Sequence, residues 1–153
     1  MIRYCCGFFF MLLGIFSWAP DSLAAAEMHL KFHSGAVVDG QSFITGSLNN
    51  RGDADIAHGY VVVTVLDAQC RPVKSILQSF DRMEPGQEQR FRLPVEGRLK
   101  RYRLASVVGF DDMGFNVVTV NETEPMFKLR EPEEQALCAQ ARSRFGQGGR
   151  VDQ

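Results

Sequence analysis

Three histidines and one distant pair of cysteines carry most of the chemistry this chain could attempt. The histidines are His29, His33 and His58. His29 and His33 flank Lys31 at strand spacing, which would place both imidazoles on one face. At about 3.4 Å of rise per residue they stand too far apart to share one ion from a straight strand. The Lys31 charge between them also repels a cation. A second metal route depends on where the mature chain starts. A chain beginning at Glu27 would offer its amine, two deprotonated amides and the His29 imidazole as a square-planar Cu(II) or Ni(II) site. The plainer expectation for His29 and His33 is a solvated strand face.

Catalytic patterns are missing. The chain has no Gly-x-Ser-x-Gly elbow, no His-Glu-x-x-His, no phosphate-binding loop and no Cys-x-x-Cys. No catalytic residue and no cofactor are expected, and the protein is read as a non-enzyme. Arg51-Gly52-Asp53 matches a short adhesion tripeptide, but these residue types also suit a tight turn. Arg98, Lys100, Arg101 and Arg103 form a local basic run and are the candidate partner-binding residues. Base-stacking aromatics are not interleaved with them, and the formal net charge is −1, so nucleic acid is not an expected partner.

The elements that must position these residues begin with a leader. Arg3 precedes an apolar run from Cys5 to Trp18, and Ala24-Ala25-Ala26 supplies small residues for a peptidase. The run is shorter than the roughly 20 apolar residues of a membrane span. Residues 1–26 are therefore expected to be a signal peptide, and the protein to be periplasmic or secreted with no span after processing. Cys5 and Cys6 leave with the leader. Cys70 and Cys138 remain, and in an oxidising compartment such a pair favours a disulfide.

Short strands fill residues 27–122. Met28, Leu30 and Phe32 alternate with His29, Lys31 and His33, and Ser34-Gly35 reads as a turn. A strand over 43–48 follows the Asp39-Gly40 turn. The run Tyr60 to Leu66 is β-branched and apolar on both faces, which predicts a central strand. Strands over 73–80, 90–95, 102–110 and 115–120 complete a set of seven. Pro94 marks its strand as an edge. The strand over 28–32 lacks proline and is expected to be an open edge, suited either to docking a partner strand or to closing the sandwich. The predicted core is Ile44, Leu48, Val61, Val63, Val65, Leu93, Leu104, Val108 and Phe110. Regular strand spacing with Gly, Pro, Asn and Asp turns predicts an all-β, immunoglobulin-like antiparallel sandwich. Residues 123–145 are expected to be a linker and a helix starting near Glu131-Pro132, with Leu137, Cys138, Ala141 and Phe145 facing the body. Residues 146–153 read as a disordered tail.

Three features in the stretch 43–110 resemble one family. Gly46-Ser47-Leu48-Asn49-Asn50 comes first, then a β-branched strand ending near Asp67, then Pro85-Gly86 before an amphipathic strand at Phe91. This pattern resembles the small bacterial sandwich domains of the FxLYD and DUF3426-like type. The resemblance implies an Ig-like module of an exported or membrane-tethered protein, with an assembly role and no catalytic residues. The expected function is a protein-binding or assembly module of the bacterial cell envelope, partnered by an envelope protein or complex. A periplasmic copper-binding protein using His29 and a small inhibitor or immunity-type protein are the rival expectations.

Overall fold

A computed structural model describes residues 24–147, with the side chains of 145–147 outside the description. Most of the expected leader, residues 1–23, and the tail from 148 onward lie outside the described residues. Seven strands form two sheets. They are β1 (Glu27–Val38), β2 (Gln41–Asn50), β3 (His58–Leu66), β4 (Pro72–Phe80), β5 (Glu88–Val95), β6 (Arg101–Phe110) and β7 (Val118–Asn121). One helix, α1 (Glu124–Gln147), follows. The first sheet has the order β5-β2-β1-β7 and the second β4-β3-β6. The protein is an all-β sandwich with a C-terminal helix. One pairing departs from the antiparallel expectation: β7 runs parallel to β1 over Glu27–Leu30.

The core lies between the sheets. Ile44, Leu48, Val61, Val63 and Leu93 are buried as predicted, joined by Met28, Leu30, Ile56, Met83 and Phe91. Tyr60 to Leu66 is indeed central, flanked by β4 and β6. Each sheet also contains a glycine facing an aromatic ring across the ladder, Gly46 with Phe91 and Gly59 with Phe80. A β-carbon at either glycine would collide with that ring, so the missing side chain is what lets the ring lie flat on the sheet.

Two bulges overturn parts of the strand reading. In β1 the register jumps between Leu30 and Phe32, so Lys31 is extra. An extra residue reverses which alternate side chains face inward. Phe32, expected beside Met28 and Leu30, is instead 47% exposed, and His33 turns towards Tyr102. In β6, Val62 pairs with Ser106 but Val63 pairs with Leu104, so Ala105 is extra. Leu104 and Val107 then pack on the core. Val108 and Phe110, both predicted to be buried, stay half-exposed, and Phe110 stacks on His58.

Other boundaries also move. Ser34-Gly35 is strand, not turn, and β1 continues to Val38. Leu99 packs 2.8 Å from where a Gly35 β-carbon would sit. The Asp39-Gly40 turn is real, with φ of 51° and 77°, and it closes the β1–β2 hairpin. Of the stretch 28–32, β7 covers residues 28–30, so only its last two residues keep an open edge. β5, with Pro94, is an edge. The helix starts at Glu124, seven residues before Glu131, with Pro125 in its first turn and Pro132 inside it. The Glu124–Lys128 ion pair before Pro132 and the Glu131–Gln135 hydrogen bond across it, each one turn apart, support the helix.

Asn50 ties these pieces together. Its side chain is fully buried. The amide nitrogen donates to the carbonyls of Ala54 (2.8 Å) and Met83 (3.0 Å). Its oxygen accepts from the backbone N–H of Gly52 (3.1 Å) and Glu27 (3.4 Å). Replacing Asn50 with Ala removes these bonds, although the Met83 carbonyl still accepts from the Ile56 N–H. It is expected to cost about 3 kcal/mol, since each buried orphan costs about 1–3 kcal/mol. Asn49→Ala, at a side chain bonded only near the surface, is expected to cost under about 1 kcal/mol. Urea denaturation of both variants measures the difference.

Candidate functional site

The sandwich has two open sides, and side chains close only one of them. At the β4–β5 side, the Arg92 backbone N–H of edge strand β5 donates to the Gln78 side chain of β4 at 3.2 Å. Lys74 of β4 pairs with Glu96, just past β5, at 3.1 Å. On the other side β7 covers β1 only as far as Leu30, where the Glu122 N–H donates to the Leu30 carbonyl. From Lys31 to Val38, β1 pairs with β2 alone, and its second edge has no strand partner among the described residues. β6 is the neighbouring edge of the other sheet. The helix α1 passes over this side and encloses a cleft of about 920 Å³.

The helix is held there at few points. Cys70, in the β3–β4 turn, bonds Cys138 with a Cα–Cα distance of 5.6 Å, so the expected disulfide is present. Phe127 stacks on His33 with ring centroids 4.6 Å apart and planes 3° apart. Arg101 Nη1 lies 3.7 Å from Cys138 Sγ. Of the apolar stripe expected to face the body, Cys138 and Ala141 are half-buried, but Leu137 is 43% exposed. Leu129 is 84% exposed, so the helix stands beside the sandwich without a continuous apolar seam. No helix among the described residues is long and apolar enough to cross a membrane.

The cleft has walls of different chemistry. Gly35, Ala36 and Val37 line it along the free β1 edge. Leu66, Leu99 and Leu104 supply apolar surface on the other wall. Lys100, Arg101 and Arg103 line it from the β6 side, while Glu124, Glu131 and Glu134 line it from the helix. Three of the four predicted basic residues therefore meet at the cleft. Arg98 is exposed and not among its lining residues. At the centre, His33 Nδ1 and the Tyr102 hydroxyl are 2.8 Å apart. Burial, with some help from the Glu134 charge, pushes the Tyr102 phenol up to about 12. Burial also pulls the His33 imidazole below its usual range. Both groups are therefore neutral at pH 7, and their contact is an uncharged hydrogen bond.

His29 lies elsewhere, in a charged cluster. Its Nε2 is 2.8 Å from Glu27 Oε1, and its Nδ1 is 2.9 Å from Glu122 Oε1. Lys31 Nζ reaches Glu122 Oε2 at 3.2 Å, and Arg51 Nη1 reaches Glu122 Oε1 at 2.9 Å. The Lys31 bulge separates His29 from His33, and each imidazole has its own partners. A cation beside His29 would stand next to Lys31 and Arg51. Among the described residues, no three His, Cys, Asp or Glu side chains are grouped to hold a metal ion. Arg51 and Asp53 of the tripeptide serve the fold, Arg51 on Glu122 and Asp53 on the Ala25 backbone. The sequence reading missed Tyr102 and Phe127 as partners of His33, because strand and helix periodicity carry no trace of which side of the sandwich a helix will cross.

No family model and no curated protein matches the chain. Among solved structures, the chain aligns with IrmA from Escherichia coli at a TM-score of 0.43 and 8% identity, over 65% of this chain and 92% of that one.

Two outcomes follow from the site. Hydrogen bonds from His29 first, then Lys31, together with the Arg51 charge, hold the Glu122 carboxyl below its ordinary range. A carboxyl depressed on folding adds stability that is complete above its unfolded pKa and is lost as pH falls through the folded value. Wild type should therefore exceed Glu122→Gln in melting temperature near pH 7, with the gap closing in acid; melting curves across pH measure it. The disulfide closes a loop of sequence separation 68, for which chain entropy gives about 4 kcal/mol at most. Because little else holds the helix, removing the bond lets it leave and recovers part of that entropy in the native state. The Cys70→Ser, Cys138→Ser double variant is expected to lose well under about 4 kcal/mol. Amides of Glu124–Gln147 should become fast-exchanging while those of Val61–Val65 stay protected, as read by hydrogen exchange.

Proposed function

We propose that this protein is an exported, non-enzymatic β-sandwich of the bacterial cell envelope that binds an extended segment of another envelope protein. The carrying observation is the free edge of β1 from Lys31 to Val38, which lines a cleft of about 920 Å³ under a disulfide-held helix. A strand edge is a row of unpaired backbone donors and acceptors, and the ligand that matches such a row is another extended backbone. The partner strand would continue the line of β7. Exposed Phe32, Val37 and Val38 offer apolar contact for its side chains. The basic β6 wall and the acidic helix wall would select for charges on the partner.

A binding role rather than a catalytic one is supported by the use made of the reactive groups. Cys70 and Cys138 are joined to each other. The His29 ring faces carboxylates at both nitrogens, and His33 is engaged with a phenol that stays protonated. Export and an envelope location are supported by the leader pattern and by the disulfide, which persists in an oxidising compartment. The resemblance of the stretch 43–110 to small bacterial sandwich modules supports an assembly role.

Site-specific photo-crosslinking in envelope extract tests the reading. A crosslinking side chain at Val37, beside the cleft, is expected to trap an envelope protein that the same side chain at Val73 does not. Val73 lies on β4, the edge at the closed side, and is 67% exposed, so access alone would favour it equally. Trapping at Val73 and not at Val37 would move the interface to the other side of the sandwich. Absence of an adduct at both sites would remove the strand-binding proposal.

A further inference from the structure

We infer that the exported chain begins at Ala25, with its α-ammonium group seated on the Asp53 carboxylate. This rests on the proposed export and sharpens it to one peptide bond. A signal peptidase reads small residues one and three positions before the cut. Ser22 and Ala24 satisfy that rule for a cut after Ala24, and Ala24 and Ala26 satisfy it for a cut after Ala26. A cut after Ala25 would put Leu23 at the third position. The sequence thus leaves two cuts, and the fold separates them.

Ala25 and Ala26 are built into the sandwich. Asp53 N–H donates to the Ala25 carbonyl at 3.0 Å, and Arg51 N–H donates to the Glu27 carbonyl at 2.8 Å. These two bonds run residues 51–53 antiparallel to residues 25–27. Gly52 lies so close to this segment that a β-carbon there would collide with the Ala25 carbonyl and the Ala26 Cα. Ala26 packs on the core. Ala24 is exposed. A chain cut after Ala26 loses the Ala25 carbonyl that accepts from Asp53 and loses the Ala26 contact with the core. A chain cut after Ala24 keeps both.

The cut after Ala24 also places charge where the fold can hold it. The Ala25 nitrogen lies 2.5 Å from Asp53 Oδ1. Hydrolysis of the Ala24–Ala25 bond consumes one water, leaves a carboxylate on Ala24 and gives Ala25 an amine. That amine is protonated at neutral pH, with an ordinary pKa of about 8. A neutral amide donor thereby becomes a charged one facing a carboxylate, and such bonds are the stronger kind. The other charges nearby are engaged elsewhere, Glu27 with His29 and Arg51 with Glu122. The same cut buries Glu27-Met28-His29 inside the chain. The amine, amide and imidazole set of an amino-terminal copper site then cannot assemble.

The precursor is expressed in a Gram-negative host, and the exported protein is analysed by intact mass and amino-terminal sequencing. A start at Ala25 is expected. A start at Ala26 or Glu27 overturns the inference while leaving export intact, whereas a chain retaining Met1 removes the export reading and the inference with it. Asp53→Asn tests the ion pair. An amine gaining a carboxylate partner has a raised folded pKa, so its stability is present below about pH 8 and is lost as pH rises through that raised value. Wild type should melt above Asp53→Asn at pH 6 to 7, and the gap should close in alkali. A gap that stays constant with pH overturns the ion pair.

Discussion

The buried Asn50 amide is the constraint on which the arrangement of this sandwich depends. It sits at the end of β2, where four pieces of chain must meet. They are the start of β1, the loop after β2, the Met83 bridge between the sheets and the turn before β5. The side chain bonds the first three, and its backbone bonds the fourth through Gln87 and Gly86. A buried amide is costly unless its donors and acceptors are met, so the group specifies one geometry and penalises others. Ile56 and Met83, fully buried and bridged to each other, complete the same junction with apolar packing.

From that fixed end, the two bulges shape the rest. Each adds one residue to a strand and so exchanges the inner and outer faces for everything beyond it. In β1 the exchange at Lys31 brings His33 and Gly35 to the inside, where Tyr102 and Leu99 meet them. In β6 the exchange at Ala105 keeps Leu104 and Tyr102 inside while turning Val108 and Phe110 outward. Both of these strands border the cleft, and a further irregularity lies at the start of β4, where Val73 is extra. Without the first bulge His33 would lie on the other face of β1, away from Tyr102 and Phe127. The charged cluster at His29 marks where β7 ends, and beyond it β1 is left with one neighbour.

The helix is held over that gap by a covalent bond and one aromatic stack. It brings acidic side chains opposite the basic side chains on the β6 side, across the cleft. A continuous apolar seam would have closed the gap by packing. The exposed Leu129 and Leu137 show that no such seam exists among the described side chains, which leaves the disulfide to keep the helix near.

The sequence by itself determined the local elements. The β-branched run at 60–66 identified the central strand, Asp39-Gly40 the hairpin and Pro94 the edge. These signals were legible because each depends on residues near one another in the chain. The cysteine pair was legible for a different reason: residues 70 and 138 are the only thiols outside the expected leader. The exchange of faces at Lys31 and Ala105 was not legible, because an extra residue in a ladder is defined by the partner strand's register. Pro132 pointed to a helix start because proline disfavours a helix interior, yet Pro125 already occupied the first turn. The parallel β1–β7 pair, the four-way junction at Asn50 and the cleft under the helix came from the tertiary structure alone. The first joins two distant segments and the others three or more, and the free energy that selects each arrangement is shared among its segments, so no one segment carries its pattern.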